Sequence, residues 1–380
     1  MTITTLANAQ IITETDQIHG AVSFDGMDIV AVDSGSSVPA GAIDCEGDYL
    51  APGLIELHTD NLERHLQPRP GVHWPKRAAV LSHDREIAGA GITTVFDALR
   101  VGSDAKAKGK GYLRYARETA DQILGLRREG VLKTSHHIHL RAELCTETLV
   151  DEMSEFSRDD RVGLVSLMDH TPGQRQFRDV TKLRQYLMGK HGFDEDGIQA
   201  HFKRLTEMQG LYLDKHRAHA VDFARQIDAI LASHDDTTID DVSMSHAQGV
   251  IVAEFPTTVE AATACRKHQQ FIMMGAPNVI RGGSHSGNVA AMDLAGQGLL
   301  DILSSDYVPA ALLMAAVRLG REANDMAAGL RTVTAMPADA AGLHDRGRLM
   351  VGKRADIVRF AVNDDLPLVR GVWNKGRQVA

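Results

Sequence analysis

Cysteine is scarce in this sequence: three residues, Cys45, Cys145 and Cys265, lie far apart along 380 positions. They cannot make a complete disulfide set, and no thiolate lies near enough to a histidine motif to favour a structural zinc site. Long apolar runs are missing too. The stretch Val308–Val317 stops well short of the ~18 residues that suggest a spanning helix, so no membrane association is expected. The opening residues, MTITTLANAQ, lack the basic patch and apolar core of a signal peptide, and a cytoplasmic protein is expected. There is no excess of positive charge either. Lys and Arg number 41 against 50 Asp and Glu, a net charge of -9. Such a chain has no global attraction for nucleic acid, and an anionic ligand must be met by local basic groups. No short-period repeat or low-complexity tract interrupts the chain.

Histidine, by contrast, is plentiful: 18 residues, several of them closing apolar runs. A series of histidines at successive strand ends points to metal ligation or acid–base work. The apolar runs expected to be strands are Gly53–His58, Thr93–Leu99, His136–Arg141 and Val162–Asp169. Four more follow: Ala229–His234, Val250–Phe255, Phe271–Gly275 and Ile302–Asp306. Amphipathic segments such as Tyr112–Glu129, Val259–His268 and Pro309–Leu319 alternate with them. Eight strand–helix units predict an α/β fold, a closed (β/α)8 TIM-like barrel. An open doubly wound sheet is disfavoured because no GxGxxG follows the first strand.

Two β-rich ends fall outside the repeat and are expected to pair into one small β-sandwich domain. The expected boundaries are 1–50 with 345–380 for that domain and 51–344 for the barrel. Residues 171–229 are too long for a plain connection and read as an insertion over the barrel mouth.

Barrel chemistry sits at the C-terminal ends of the strands. Those ends carry His58 and Asp60, His139 and Glu143, Asp169 and His170, then His234, Asp235 and Asp236, and finally Asp306 with Tyr307. Residues two apart in a strand share a face, so His58 and Asp60 can reach one cation together, and His137 shares a face with His139. Imidazole with carboxylate suits Zn²⁺, Mn²⁺ or Fe²⁺. Singly, His170 is as consistent with a hydrogen-bonded core residue, and Asp306 with a helix cap; five such ends together make a purely structural account improbable.

Basic groups able to meet an anionic ligand are found in three clusters. Arg64, His65 and Arg69 follow the HTDN turn. Arg281 precedes a glycine-rich stretch with Ser284 and His285, placed after strand seven where barrels often bind phosphate. That stretch lacks the GK[ST] ending of a Walker motif. Arg100 with Lys106, Lys108 and Lys110 forms a third cluster, which reads more readily as a solvated surface than as a ligand site. Gln174 and Arg175 are weaker candidates, and His246 reads as structural.

The first strand after Ala51–Pro52, closed by a histidine motif, and the segment GRLMVGKRADIVRF resemble the amidohydrolase superfamily. More narrowly, HTDNLERHLQPRPGV (His58–Val72), LMDHTPGQRQF (Leu167–Phe177), AEFPTTVEAA (Ala253–Ala262), MGAPNVIRGGSHSGN (Met274–Asn288) and SSDYVPAALL (Ser304–Leu313) resemble the phosphonate-metabolism PhnM family of the carbon–phosphorus lyase pathway. These blocks span nearly the whole chain.

The resemblance implies a cytoplasmic metal-dependent diphosphatase that hydrolyses α-D-ribose 1-methylphosphonate 5-triphosphate to the 5-phosphate and pyrophosphate. It further implies that His58 and Asp60 hold a buried metal, that Glu143 bridges two metals, that His170 and His234 hold the second, and that Asp306 is the general base. Two divalent ions (Zn, Mn or Fe) are expected, one ion being the alternative. HxD stands here where the superfamily commonly has HxH, and Val162–His170 contains no lysine for a carbamylated bridge. The expected partner is a small phosphorylated ribose, with a homo-oligomer as the expected assembly. Spacing alone supports only a metal-dependent hydrolase. An amide hydrolase or deacetylase on the same scaffold, or a barrel without chemistry, are the competing readings.

Overall fold

The computed structural model describes residues 3–380 except 104–113, 178–179, 182–183, 185–187, 189–193 and 285. The expected basic loop with Lys106, Lys108 and Lys110, and His285, lie outside the described residues. Among the described residues, sixteen strands divide between two sheets. The first sheet is built from β1 (Ile3–Ile12), β2 (Gln17–Asp25), β3 (Asp28–Ser34), β4 (Ile43–Asp44) and β5 (Tyr49–Pro52). It is completed from the other end of the chain by β14 (Ile357–Asn363), β15 (Leu366–Asn374) and β16 (Arg377–Gln378). Its order is β16-β15-β14-β5-β1-β2-β3, with β4 against β1. Strand β5 pairs parallel with β1 and antiparallel with β14, so it ties the two chain ends together.

The second sheet is the barrel. Its strands are β6 (Leu54–Thr59), β7 (Ile92–Val101), β8 (Ser135–Glu143) and β9 (Val162–Met168), then β10 (Ile230–His234), β11 (Val252–Glu254), β12 (Phe271–Gly275) and β13 (Ile302–Ser304). All neighbours are parallel. A parallel bridge from Thr59 to Asp306 brings the first strand back to the last, and the Asp60 amide donates to the Asp306 carbonyl at 2.7 Å. The eight expected strands are thus the eight observed.

Their near-continuous apolar runs follow from burial on both faces. Ile55, Leu57, Phe96, Leu164, Ala232, Val252, Met273 and Ile302 fill the interior. Gly163 is there because the Phe96 ring lies 2.5 Å from where a Cβ would stand. Helices Ala116–Arg128, Val259–Lys267 and Ala311–Glu322 bury alanine, leucine and valine stripes outside the strands. The stretch between β9 and β10 carries the helix Glu195–Ile227. Its last turns, with Ala220, Phe223, Ala224 and Ile227, pack into the core beside β9.

One buried network fastens β7 and β8 to the helix Lys76–Gly89. Phe96 points into the barrel, so Asp97 leaves the outer face, where one carboxylate oxygen lies 2.9 Å from His83 Nε2 and the other 2.7 Å from His136 Nδ1. His136 Nε2 meets Asp84 at 3.2 Å, and Asp84 also accepts the backbone amides of Lys133 and Thr134. Burial opposes the charge of His136, yet Asp97 and Asp84 overcome it and raise its pKa to about 10. The same contacts hold Asp97 well below the carboxylate range against its burial.

Asp97→Asn should cost about 3–5 kcal/mol, because it leaves a buried imidazolium short of its counter-charge; a denaturant midpoint unchanged from wild type would refute this. The pH dependence has a definite sign. The His136 contribution is complete below the unfolded histidine pKa of roughly 6.5 and is lost as pH rises through about 10. Thermal melts between those limits should therefore show an alkaline loss of stability that His136→Gln removes.

Candidate active site

The mouth of the barrel gathers histidines and carboxylates from six strands. Strand β6 delivers two residues by an irregularity: its register against β7 breaks between Glu56 and Thr59. Leu57 packs with Phe96 in the interior, and the next residue, His58, also turns into the site. Beyond the break the two-residue alternation resumes, and Asp60 Oδ1 lies 3.8 Å from His58 Nε2. Strands β10, β11 and β13 end in another way. Asp235, Phe255 and Asp306, which follow them, all have φ between 54° and 57°. A left-handed backbone at a non-glycine residue is strained, and strain of this kind collects where a side chain must be aimed.

At the centre stands Glu254, the last residue of β11, fully buried. One of its oxygens lies 3.2 Å from His58 Nδ1 and 3.8 Å from His139 Nε2, and the other 2.9 Å from His234 Nδ1. Burial dominates the titration of these three imidazoles and pulls each pKa down to about 3. They are therefore neutral, with lone pairs available to a cation. His139 is further fixed by the Leu57 carbonyl at 3.0 Å and the Ser166 hydroxyl at 2.8 Å.

Two donor sets flank this core. His58, Asp60 and Asp306 present ligand atoms within 4.8 Å of one another, as do His170, His234 and Asp235. Glu143 lies 2.7 Å from His170 Nδ1 and opposes burial to raise the His170 pKa. Burial and then the nearby Asp60 charge push Asp306 up to about 8. Burial also raises Asp235 to about 7. Asp60 is held down instead: burial raises it, but Arg141 and His58 outweigh that. The donor chemistry, neutral imidazole with several carboxylates crowded together, fits one or two divalent cations.

The structure thus brings together His58, Asp60, Glu143, His170, His234 and Asp306. Glu143 reaches His170, while the carboxylate lying between His58 and His234 is Glu254, which sequence reasoning did not single out. Its signal was available: it shares a strand face with the inward Val252. Arg141, in the barrel wall, was also passed over.

The expected ligand-binding arginines are more dispersed. Arg64 pairs with Glu86 and is half exposed. Arg69 and Arg281 are exposed, Arg281 closing the helix Ala276–Arg281. Ser284 is partly exposed, its hydroxyl accepting from the Ser286 amide. Arg175 turns instead to the β10 end, donating to the His234 carbonyl at 2.8 Å and to Asp236 at 2.7 Å. Gln174 donates to Asp169. His137 stacks on Phe96 inside the barrel, and His246 stacks on His268.

The sequence pattern of the amidohydrolase family matches residues 49–379. The alpha-D-ribose 1-methylphosphonate 5-triphosphate diphosphatase of Escherichia coli (strain K12) is 41% identical over 375 residues, 98% of this chain and 99% of that protein. Among solved structures, N-acetyl-D-glucosamine-6-phosphate deacetylase from Mycobacterium smegmatis superimposes with a TM-score of 0.63 at 16% identity, covering 100% of both chains. A prolidase complexed with N-methylphosphonate-L-proline superimposes at 0.60 with 17% identity, covering 100% of this chain and 99% of its own. At these identities the structural likenesses concern the fold alone.

Cation binding at this cluster should be proton-linked. Asp306 at about 8 and Asp235 at about 7 must ionise to act as ligands, so affinity should rise with pH across that interval. Calorimetric titration with Mn²⁺ or Zn²⁺ in buffers of different ionisation enthalpy should report proton release near about pH 6 and less near about pH 9. Affinity flat over that range would remove both aspartates from the ligand set.

Proposed function

The chain belongs to the amidohydrolase family, and on that premise we propose that it hydrolyses α-D-ribose 1-methylphosphonate 5-triphosphate to the 5-phosphate and pyrophosphate. The observation that carries this is the 41% identity to the Escherichia coli diphosphatase over 98% of the chain. The donor sets around Glu254 support it, since they suit a cation-assisted hydrolysis. In this reading two divalent ions (Zn, Mn or Fe) are held by His58, Asp60 and Asp306 on one side and by His170, His234 and Asp235 on the other. When bound, a divalent cation supplies Lewis acidity toward phosphoryl oxygens and lowers the pKa of water to roughly 7.

The chain's own residues perform the proton transfer and the orientation. Asp306, pushed up to about 8 by burial and by Asp60, is a proton acceptor whose affinity suits work near neutrality. It takes a proton from the attacking water as the new oxygen–phosphorus bond forms at the α-phosphorus. The bond from that phosphorus to the β-phosphate oxygen breaks, and its electron pair leaves with pyrophosphate. Glu254 holds the imidazoles in one orientation, and the left-handed turn at Asp306 aims its carboxylate at Asp60. The same reading makes this a cytoplasmic enzyme of phosphonate catabolism, acting on a small phosphorylated ribose with no nucleic-acid or membrane partner.

Phosphorus-31 NMR of the cation-loaded protein with this triphosphate in ¹⁸O-enriched water tests the reaction. Pyrophosphate with the label in the 5-phosphate is expected. Labelled orthophosphate would mean attack at the γ-phosphorus, and no turnover by the folded, loaded protein would favour an amide substrate. Asp306→Asn should lower turnover by about 10²- to 10⁴-fold when the cation is supplied at saturating concentration. Turnover near wild type would exclude Asp306 as the base.

A further inference from the structure

Strand register places two guanidinium groups side by side inside the barrel. Arg100 of β7 is the register partner of Arg141 of β8, and Arg141 in turn of Ser166 of β9. Register partners on parallel strands project to the same face, and the alternation that turns Phe96 and His139 inward turns Arg100 and Arg141 inward as well. They occupy the layer directly above His139, level with the donor sets. Both are largely shielded, Arg100 at 7% exposure and the Arg141 side chain at 14%.

Arg141 is only partly satisfied. Nη1 donates to Asp60 Oδ1 at 2.5 Å and Nε to the Met168 sulfur at 3.4 Å. A guanidinium carries five N–H donors, and among the described residues Nη2 has no partner. Its hydrogen-bonded counter-charge is also on loan, Glu63 acting on it without a hydrogen bond. Asp60 is a member of the donor set with His58 and Asp306, so a cation there would draw on the same carboxylate that neutralises Arg141. A shielded guanidinium needs an anion in that state. A neutral amide offers none, whereas a phosphoryl group offers two oxygens matched to the planar fork. The exposed Arg64, Arg69 and Arg281 interact in water, where the same charge counts for less.

We propose that Arg141, flanked by Arg100, binds the phosphoryl group under attack and selects tetrahedral phosphorus oxyanions over amides. This rests on the phosphoanhydride reading and names the residue that grips the reacting group. Asp306 and Arg141 both border Asp60, so the α-phosphoryl group sits between proton acceptor and guanidinium, and the pyrophosphate departs toward the open mouth. Arg141 keeps all its protons throughout. It neutralises the charge that builds on the non-bridging oxygens as the water–phosphorus bond forms and the bond to the β-phosphate oxygen breaks.

The test compares wild type with Arg141→Met and Arg141→Lys, each checked for folding by its thermal melt. Four quantities are read: bound cation by elemental analysis, affinity for inorganic phosphate, kcat and KM for the triphosphate, and rescue by added guanidinium ion. Arg141→Met should keep its cation, bind inorganic phosphate at least tenfold more weakly, and lose about 100- to 1000-fold in kcat. Guanidinium ion should restore part of that loss, and Arg141→Lys should recover little because it cannot fork. A variant that loses cation and activity together, with phosphate affinity unchanged on the loaded fraction, would show that Arg141 merely props Asp60 and overturn the proposal. If the wild type itself fails on the triphosphate, the phosphoanhydride reading falls. Phosphate affinity then still decides Arg141: equal affinity in wild type and Arg141→Met overturns its role, and a tenfold loss sustains it.

Discussion

A single buried carboxylate organises the mouth of this barrel. Glu254 has no exposed surface and touches imidazoles from three other strands, β6, β8 and β10. A negative charge in that position is tolerable only with polar partners on every side. The partners are therefore not free to reorient: His58 and His234 take their orientation from its two oxygens, while His139 beside them is fixed by the Leu57 carbonyl and the Ser166 hydroxyl. The flanking donor sets, the aim of Asp306 and the closeness of Arg141 to Asp60 all build outward from that fixed core. Removing solvent from the cluster keeps the imidazoles neutral, the state in which they can hold a cation.

Fixing such a cluster carries a conformational cost, which the strand ends bear. Three of the eight barrel strands are followed by a non-glycine residue in left-handed backbone: Asp235, Phe255 and Asp306. Each such turn is unfavourable on its own, and each is overdetermined by its neighbours. Asp306 is held by the Asp60 amide and the Thr59 hydroxyl on its carbonyl. The Asp235 amide donates to the Glu254 carbonyl, and the Phe255 amide to that of Met273. The ring of parallel strands thus serves as the rigid body against which the strain is held, consistent with the buried His–Asp network bracing β7 and β8 from outside.

Much of this was legible in the sequence, and what was not has physical causes. The eight strands stood out because burial on both faces writes them as apolar runs, and the histidines ending them marked the mouth. Strand β1 was not legible: a bulge between Leu6 and Ala9, with Asn8 in left-handed backbone, breaks the alternation that reveals a half-buried strand. Glu254 and Arg141 escaped because a charged residue within a strand reads equally well as solvent-facing; only the inward parity of Val252 and His139 distinguishes them. The loop arginines drew notice by standing next to glycines and histidines in sequence, yet adjacency along the chain says nothing about burial. The network of Asp84, Asp97 and His136 draws on three segments with no fixed spacing and could emerge only from the fold.

The terminal sheet sets an order on the making of the protein. Strand β5 lies between β1, its parallel partner from the N-terminal end, and β14, its antiparallel partner from the C-terminal end, and it leads directly into the first barrel strand. During synthesis, β5 and the whole barrel leave the ribosome before β14 exists. One edge of β5 must therefore remain uncovered until β14 has been made, a bare strand edge of the kind that invites pairing with another chain. The residues that close it are made after every barrel strand, so a nascent chain stalled or cut short of Ile357 would carry all the residues of the barrel mouth on a scaffold still open at its seam.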